Sequence, residues 1–334
     1  MTALPPLAQS LLDAIAEPSL LIRASRIIAA NPAARQLFGN GIEGKDVRLA
    51  IRHPAALDLI LGGRPGETDL MGIGGVDRPW RLSLIELGGG NALVRLTDQA
   101  ALRAAERMRV DFVANASHEL RTPLATVTGY AETLADEEQL DEATRRSFGA
   151  TIRAEATRML RLIEELMSLS RIEADRFRPP SEMVIAADVI ALAMEQCAEF
   201  ARRRGASIDA TVDPGLPRFR GDQRQLVQLV DNLVTNAIRY GCSGEGNAVA
   251  VTAGREGSSL VLTVRDSGQG IAAEHLPRLT ERFYRVDAAR SSEDRGTGLG
   301  LAIVKHIVER HRGTLAIRSA PGAGTEVIVR LPIE

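Results

Sequence analysis

Residues 112–124 read FVANASHELRTPL, and the organisation of the whole chain can be worked out from this stretch. On an α-helix, His118 lies two residues, or about 200°, from both Ala116 and Leu120. It therefore points away from the apolar stripe to which those two residues belong. An exposed neutral imidazole is a competent nucleophile near neutral pH, and a second protein can reach it. We predict that His118 is a nucleophile on an exposed helix face.

Three neighbours of His118 have side chains that suit chemistry at its ring. Glu119 is adjacent and can orient the ring or take its proton. Thr122 lies one turn further along and can hold a water molecule near a modified ring. Pro123 removes the backbone hydrogen bond to the Glu119 carbonyl, so we expect a kink there. A solitary exposed histidine is usually only a surface residue, so the whole string SHELRTPL is needed to support a chemical role.

The residues around this string predict two long helices. Residues 97–134 lack glycine before Gly129, and apolar residues recur there at a mean step of about 3.6, the period of one helix face. After a polar turn, 135–141, a second helix with a seven-residue apolar repeat runs to about Ala174, interrupted at Glu155. Two antiparallel helices cannot bury both stripes alone. We therefore expect two hairpins to associate into a four-helix bundle, which makes the chain a homodimer.

An α/β pattern occupies both ends of the chain. Pro179-Pro180 ends the second long helix. Residues 1 to about 100 mix short helices and strands with pairs of glycines. The predicted class is multidomain α+β, with domains at 1–100, 101–178 and 179–334. In the last domain we predict helices at 185–203, 223–240 and 299–311, and strands at 206–212, 216–220, 248–253, 259–265, 314–318 and 325–331.

The composition limits the classes of protein to which the chain can belong. The chain has 334 residues, of which 45% are apolar, and a net charge of -2 without a long basic run, which argues against nucleic acid as a direct partner. The two cysteines and the four histidines other than His118 show no metal-binding spacing. No apolar stretch approaches the ~18 residues of a membrane helix, and no signal peptide is visible. We expect a soluble, cytoplasmic chain, although an anchor in a longer parent chain stays open.

Asparagines in the last domain suggest a site for a metal ion and phosphates. Asn232 and Asn236 are four residues apart on one predicted helix and share a face. An amide oxygen is a suitable ligand for Mg²⁺ that bridges phosphates. Arg239 and Tyr240 follow one turn later. They supply a positive charge for phosphate and a ring for a nucleotide.

Two glycine motifs extend this predicted site. Asp266 closes strand 259–265; its carboxylate can accept a hydrogen bond from an adenine amino group, and Gly268 and Gly270 let backbone approach the ring. GTGLG at 296–300 opens helix 299–311, where backbone amides and the helix dipole suit anionic phosphates. Between the two motifs lie ERFYR, 281–285, and then the polar residues 287–295, which suit a mobile lid. Each motif alone is a weak signal.

Taken together, these motifs resemble those of sensor histidine kinases. SHELRTPL matches the phosphoacceptor box of the dimerisation and histidine-phosphotransfer domain, and the later motifs resemble, in order, the N, G1, F and G2 boxes of the Bergerat-type ATP-binding domain, an α/β sandwich. The resemblance covers about residues 108–334 and implies ATP and Mg²⁺ as cofactors. It implies these roles: His118, Glu119 and Thr122 in catalysis; Asn236 as Mg²⁺ ligand, supported by Asn232; Asp266 as reader of adenine; Phe283 in the lid hinge; Gly296, Gly298, Leu299 and Gly300 around the phosphates; Thr325 behind the adenine site.

Within this family, residues 109–118 and 275–287 look most like the phosphate-regulon sensor kinases, which carry a PAS domain before the phosphoacceptor helix. The segment RIIAANPAARQLFG, 26–39, resembles the start of a PAS domain. The resemblance implies autophosphorylation of His118, transfer to an aspartate of a response regulator, and phosphatase activity toward that regulator. Small departures are Arg295 and Arg312, where many relatives have glycine, and Val327, where an aromatic residue is common.

Two other classes of protein remain as alternatives. One is a different ATPase of the same nucleotide fold, of the chaperone or mismatch-repair type, but these lack an exposed His-Glu-x-x-Thr-Pro box and usually carry glutamate where Asn232 stands. The other is an inactive scaffold that signals by PAS-mediated dimerisation. The intact Asn236, Asp266 and glycine motifs argue against a scaffold.

Overall fold

The chain divides into two units, residues 1–113 and 114–334, each with its own five-stranded sheet. The computed structural model describes residues 5–75, 77–136, 140–175, 178–242, 247–286 and 296–333. The predicted lid, 287–295, and the middle of the predicted interhelical turn, 137–139, lie outside the described residues. Because the hairpin and the C-terminal α/β part share unit 2, this division does not test the three predicted domain boundaries.

Unit 1 is an antiparallel sheet covered by short helices. Its elements are α1 (Pro6–Asp13), β1 (Ser19–Arg23), β2 (Arg26–Ala30), α2 (Pro32–Phe38), α3 (Pro54–Gly62), β3 (Gly66–Met71), β4 (Pro79–Gly88) and β5 (Asn91–Asp98). The strand order is β2-β1-β5-β4-β3. The first and last strands in the sequence, β1 and β5, are therefore neighbours in the sheet. Strand β3, whose alternation is weak, was missed by the sequence pattern. The core lies between one sheet face and helices α2 and α3.

One buried asparagine fixes the start of α2. The side-chain oxygen of Asn31 accepts hydrogen bonds from the backbone N–H groups of Ala34, at 2.8 Å, and Ser19, at 2.9 Å. Its amide nitrogen donates to the carbonyls of Ile15 and Glu17, both at 2.8 Å. All the polar atoms of this buried side chain are thereby used, and the helix N-terminus is tied to strand β1.

The two long helices form the predicted hairpin, with one correction. They are α4 (Ala100–Asp136) and α5 (Glu142–Ala174). The predicted start of the first helix at residue 97 is wrong, because strand β5 continues to Asp98, whose carboxylate accepts the Ala100 N–H at 2.8 Å and begins the helix. In unit 2, the rings of Tyr130 and Phe148 pack across the hairpin with centroids 4.7 Å apart.

The hairpin buries only part of its apolar surface. Leu162, Leu169 and Ile172 of α5 are buried. By contrast, Leu160 and Met167 of the same helix are 62% and 55% exposed. The exposed residues are consistent with association of two hairpins, but the four-helix bundle stays a prediction.

The rest of unit 2 is a mixed sheet with three helices on one face. Its elements are β6 (Met183–Val184), α6 (Ala186–Arg203), β7 (Ser207–Val212), β8 (Phe219–Arg220), α7 (Gln223–Asn236), β9 (Ala248–Glu256), β10 (Ser259–Asp266), α8 (Gly300–Arg310), β11 (Thr314–Ser319) and β12 (Thr325–Pro332). The main sheet has the order β11-β12-β10-β9-β7, with only β7 and β9 parallel, and β6 pairs with β8 separately. Apolar residues of α7, α8, β9 and β10 are buried, and α8 contacts α7, β11 and β12.

Two predicted elements of this part are shorter than expected. The predicted strand 216–220 is reduced to β8, because Pro217 cannot donate to a strand ladder. The predicted helix 223–240 ends at Asn236, where a π-helical turn, Ala237–Gly241, replaces the last turn. A Cβ on Gly241 would lie 2.3 Å from the Cβ of Asp266, so only glycine fits there. The wide turn brings the end of α7 against the end of β10, which positions the site.

Within the residue ranges given above, no helix has the length and apolar character that a bilayer span requires.

Candidate nucleotide site and phosphoacceptor helix

A cavity of about 2190 Å³ in unit 2 brings the nucleotide motifs together. Its walls come from helices α5, α6 and α7, from the end of strand β10, and from the glycine loop 296–300 that precedes α8. Sequence motifs spread over about a hundred residues therefore converge on one cavity.

The two predicted asparagines face the start of α8. A Cβ on Gly300 would lie 3.3 Å from the Asn232 side-chain oxygen and 3.5 Å from the Asn236 side-chain nitrogen. The side-chain nitrogen of Asn232 is buried, and the described residues offer it no hydrogen-bond acceptor. A buried donor without a partner costs about 1–3 kcal/mol. This site therefore fits a ligand that brings acceptor oxygens.

The π-helical turn presents Arg239 and Tyr240 to the glycine loop. A Cβ on Gly296 would lie 2.5 Å from the Tyr240 hydroxyl and 3.1 Å from an Arg239 guanidinium nitrogen. The guanidinium of Arg239 also stands 5.7 Å from the ring centroid of Phe200 on α6. A positive charge is thus held beside the loop, where anionic phosphates are expected.

Asp266 is buried at the floor of the cavity, with 8% of its surface exposed. One oxygen of its carboxylate accepts the Gly268 N–H at 2.9 Å and the Thr325 N–H at 3.2 Å. Burial raises the pKa of this carboxyl group, and the two backbone hydrogen bonds act in the opposite direction. The Thr325 hydroxyl also lies 3.0 Å from the Ser319 hydroxyl, so the strand behind Asp266 is fixed.

Close backbone contacts require glycine at positions 268 and 270, in the predicted adenine motif. A Cβ on Gly268 would lie 2.5 Å from the Gly241 Cα. Gly270 has φ +69°, and a Cβ there would lie 1.9 Å from the Ala320 carbonyl oxygen. These positions exclude every other residue without a backbone shift.

The predicted phosphate loop, residues 296–300, is braced by hydrogen bonds of Phe283 and Thr297. The Phe283 N–H donates to the Gly298 carbonyl at 2.9 Å, and Phe283 itself has φ 62°, a conformation that non-glycine residues rarely adopt. The Leu299 N–H donates to the Thr297 hydroxyl at 3.3 Å, and that hydroxyl donates to Glu165 of α5. Sequence reasoning missed Glu165 and Gly241, because neither belongs to a recognisable spacing. It gave no role to Thr297, although this residue lies within the GTGLG motif.

The phosphoacceptor helix lies apart from these groups. His118 is exposed on α4, as the helix geometry predicts. The Thr122 hydroxyl donates to the His118 carbonyl at 3.4 Å, and Glu119 pairs with Arg158 of α5 at 3.3 Å. His118 is not among the residues that line the cavity. The structure therefore brings the nucleotide motifs together but does not bring His118 to them.

Three stretches of the sequence match known families. Residues 7–68 match a PAS domain, residues 108–175 match the His Kinase A phospho-acceptor domain, and residues 221–334 match the histidine kinase-, DNA gyrase B- and HSP90-like ATPases. The order of these matches along the chain is the order that the motifs predict.

Two curated proteins that are named as sensors align with the chain over about 240 residues. The phosphate regulon sensor protein PhoR of Pseudomonas aeruginosa is 39% identical over 243 residues, which are 71% of this chain and 53% of PhoR. The sensor-like histidine kinase SenX3 of Mycolicibacterium smegmatis is 37% identical over 241 residues, 72% of this chain and 62% of SenX3. The chain thus covers 53% and 62% of the lengths of these two curated relatives.

Solved histidine kinases share the fold. The Acinetobacter baumannii histidine kinase AdeS superposes with a TM-score of 0.51 at 23% identity and covers 65% of this chain and 98% of its own. The histidine kinase ThkA, in a complex with the response regulator protein TrrA, superposes with a TM-score of 0.51 at 18% identity and covers 97% of this chain and 98% of its own.

These findings place the chain among the sensor histidine kinases, a family of protein-histidine kinases. Within the family, its sequence is similar to those of PhoR and SenX3. The predicted fold class is confirmed: a PAS module, a helical hairpin and an α/β ATPase-like domain.

Proposed function

We propose that the chain uses Mg-ATP to phosphorylate its own His118. The observation that carries the proposal is the presence in one chain of an exposed histidine on a phospho-acceptor helix and a separate cavity where Asn236, Asp266 and loop 296–300 converge. An acceptor and a donor site on different parts of one chain are what self-phosphorylation requires.

In this proposal, the cavity residues hold the nucleotide by complementary chemistry. Asp266 accepts a hydrogen bond from the adenine amino group, and loop 296–300 donates backbone N–H groups to the phosphates. Asn236 holds Mg²⁺, with Asn232 in support; no cluster of three or more His, Cys, Asp or Glu side chains in the described ranges offers a rival metal site. When bound, Mg²⁺ supplies positive charge that offsets the charge on the transferring phosphate. Arg239 adds a second positive charge on the same side.

The phosphate transfer itself takes place at the imidazole of His118. A ring nitrogen lone pair attacks the γ-phosphorus, the bond to the ADP oxygen breaks, and ADP leaves with that electron pair. Glu119 orients the ring and accepts its proton. Because His118 does not line the cavity, residues 179–334 must move against the hairpin before the reaction.

The finer parts of the proposal concern partners and specificity. We propose that phosphohistidine passes its phosphate to an aspartate of a response regulator of the phosphate-regulon type. We also propose that Thr122 holds a water that hydrolyses the regulator's phosphoaspartate and releases inorganic phosphate. The name of PhoR supports the phosphate-regulon type, and the complex of ThkA with TrrA supports a response regulator as partner. We also propose a homodimer through the hairpin, domain boundaries at 1–100, 101–178 and 179–334, and a cytoplasmic location.

The proposal is tested by incubating the purified chain with γ-labelled ATP and Mg²⁺. Asn236→Ala should lose Mg²⁺-dependent incorporation of acid-labile, base-stable label, whereas Asn40→Ala, on the surface of unit 1, should keep it. Label should then move to a purified phosphate-regulon receiver domain faster than to an unrelated receiver. Equal labelling of the two variants would contradict the role of Asn236, and equal transfer to both receivers would contradict the specificity.

A further inference from the structure

We propose that Glu165 of helix α5 is an internal anion of the phosphate loop, which competes with the phosphates of Mg-ATP until α5 and the loop separate. The inference rests on the proposed function, since competition requires that loop 296–300 binds nucleotide phosphates. Glu165 belongs neither to the phosphoacceptor box nor to the nucleotide motifs, and its hydrogen bond with Thr297 of the loop is the regulatory contact.

The first observation is a direct hydrogen-bond chain between the loop and the helix. The Leu299 N–H donates to the Thr297 hydroxyl at 3.3 Å, and the Thr297 hydroxyl donates to the Glu165 carboxylate. A backbone amide of the phosphate loop is therefore already engaged, through one hydroxyl, with a carboxylate from the hairpin. Glu165 and Thr297 both line the cavity.

The second observation is the electrostatic environment of Glu165. Burial and the nearby charge of Asp231 raise the pKa of its carboxyl group. The Thr297 hydrogen bond and the positive charges of Arg239 and Arg161 act in the opposite direction. Arg239 is also the residue whose guanidinium approaches Gly296 of the loop. The Glu165 carboxylate thus accepts a hydrogen bond from the Thr297 hydroxyl and lies near Arg239. Arg239 is the cation that the proposed function assigns to the phosphates.

The third observation is that other residues of α5 near Glu165 also bond to the part of unit 2 that carries the loop. The Ser168 hydroxyl donates to the Gln228 side chain of α7 at 2.7 Å. Glu173 pairs with Arg282 and lies 3.4 Å from a ring nitrogen of His306. Arg282 directly precedes Phe283, whose N–H is bonded to the loop at Gly298, so α5 is linked to the loop from two directions.

The consequence is a coupling between nucleotide binding and separation of α5 from the loop. Phosphates bound at 296–300 would place like charge beside a desolvated carboxylate, which is unfavourable where water is excluded. Nucleotide therefore favours the separated state, and the attached state lowers affinity for nucleotide by the same factor. Separation is also the movement that would release the nucleotide domain toward His118.

The test compares Glu165→Gln with Glu164→Gln by calorimetric titration of the full chain with Mg²⁺ and a non-hydrolysable ATP analogue. The glutamine amide keeps an oxygen that can accept the Thr297 hydrogen bond, so Glu165→Gln removes charge and not shape. Glu164, the adjacent residue of the same helix, also lines the cavity, but its side chain is exposed, so water and salt screen its charge. Its substitution makes the same change in net charge. We expect about three- to tenfold tighter binding for Glu165→Gln and a change below about twofold for Glu164→Gln.

Glu165→Ala, which also removes the hydrogen bond, should bind at least as tightly as Glu165→Gln. Unchanged or weaker binding in both Glu165 variants would overturn the competition. A similar gain in Glu164→Gln would also overturn it, because the effect would then be one of overall charge. Absence of binding in the wild-type chain and in every variant would instead refute the proposed function, so the two failures are distinguishable.

Discussion

Substitution of Asp266 by asparagine should separate nucleotide recognition from folding. The carboxylate oxygen that accepts the Gly268 and Thr325 N–H groups has an equivalent in the asparagine amide, so both backbone hydrogen bonds can persist. The other oxygen becomes an NH₂ group. If this NH₂ group faces the adenine amino group, the carboxylate acceptor is lost. Two hydrogen-bond donors, the asparagine NH₂ and the adenine NH₂, then face each other.

The expected loss follows from the environment of this side chain. Asp266 is 8% exposed, so a hydrogen bond made by its carboxylate is shielded from water. A hydrogen bond to a charged group contributes about 1.5–3 kcal/mol, which corresponds to an increase of about 10- to 150-fold in the dissociation constant of Mg-ATP. Thermal stability should change little, because burial already disfavours the charged form of this carboxyl group.

The measurement is calorimetric titration with Mg-ATP and Mg-GTP, alongside the melting temperature. The matched control is Asp209→Asn, which changes an exposed carboxylate of β7 in the same sheet. Wild type should prefer ATP, since guanine presents a carbonyl where adenine presents an amino group, and Asp266→Asn should lose that preference. Equal binding of ATP and GTP by the wild type, or equal ATP affinity in Asp266→Asn and Asp209→Asn, would refute the assignment.

Three further predictions concern the hairpin and one buried histidine. Thr122→Ala should lose phosphatase activity toward a phosphorylated regulator and keep autokinase activity; an unchanged ratio of the two rates would leave Thr122 a structural role only. A fragment of residues 100–178 should dimerise at micromolar concentration by light scattering, because Leu160 and Met167 are exposed in one hairpin, and a monomer would contradict the bundle. His311 accepts the Asp222 N–H at 3.0 Å and its burial lowers its pKa, so its contribution to stability is present above the unfolded-state pKa of about 6.5 and is lost as pH falls. The melting temperature should therefore fall more between pH 7 and pH 5 in wild type than in His311→Gln, and parallel curves would contradict this.

The nucleotide site was predictable from sequence where one residue type is required by local backbone geometry. Gly270 and Gly298 have positive φ and closely approach other backbone atoms. Both positions therefore require glycine, and the spacing of these glycines is visible in the sequence. The helical spacing of Asn232 and Asn236 placed both amides on one face, and the structure has both beside Gly300. Their roles as ligands stay predictions.

Other features depend on contacts between distant residues and have no local signal. The π-helical turn after Asn236 follows from the approach of Gly241 to Asp266, 25 positions later in the numbering. The bond between Thr297 and Glu165 joins residues 132 positions apart. The start of α4 was misplaced because Thr97 and Asp98 pair with β4, a tertiary contact that outweighs helix propensity.

Transfer of the ATP phosphate to His118 can be tested by labelling wild type and His118→Ala with γ-labelled ATP while measuring nucleotide affinity in both. We expect acid-labile, base-stable label in wild type, none in His118→Ala, and equal affinity for Mg-ATP, since His118 does not line the cavity. Acid-labile label that persists in His118→Ala would show that another residue accepts the phosphate.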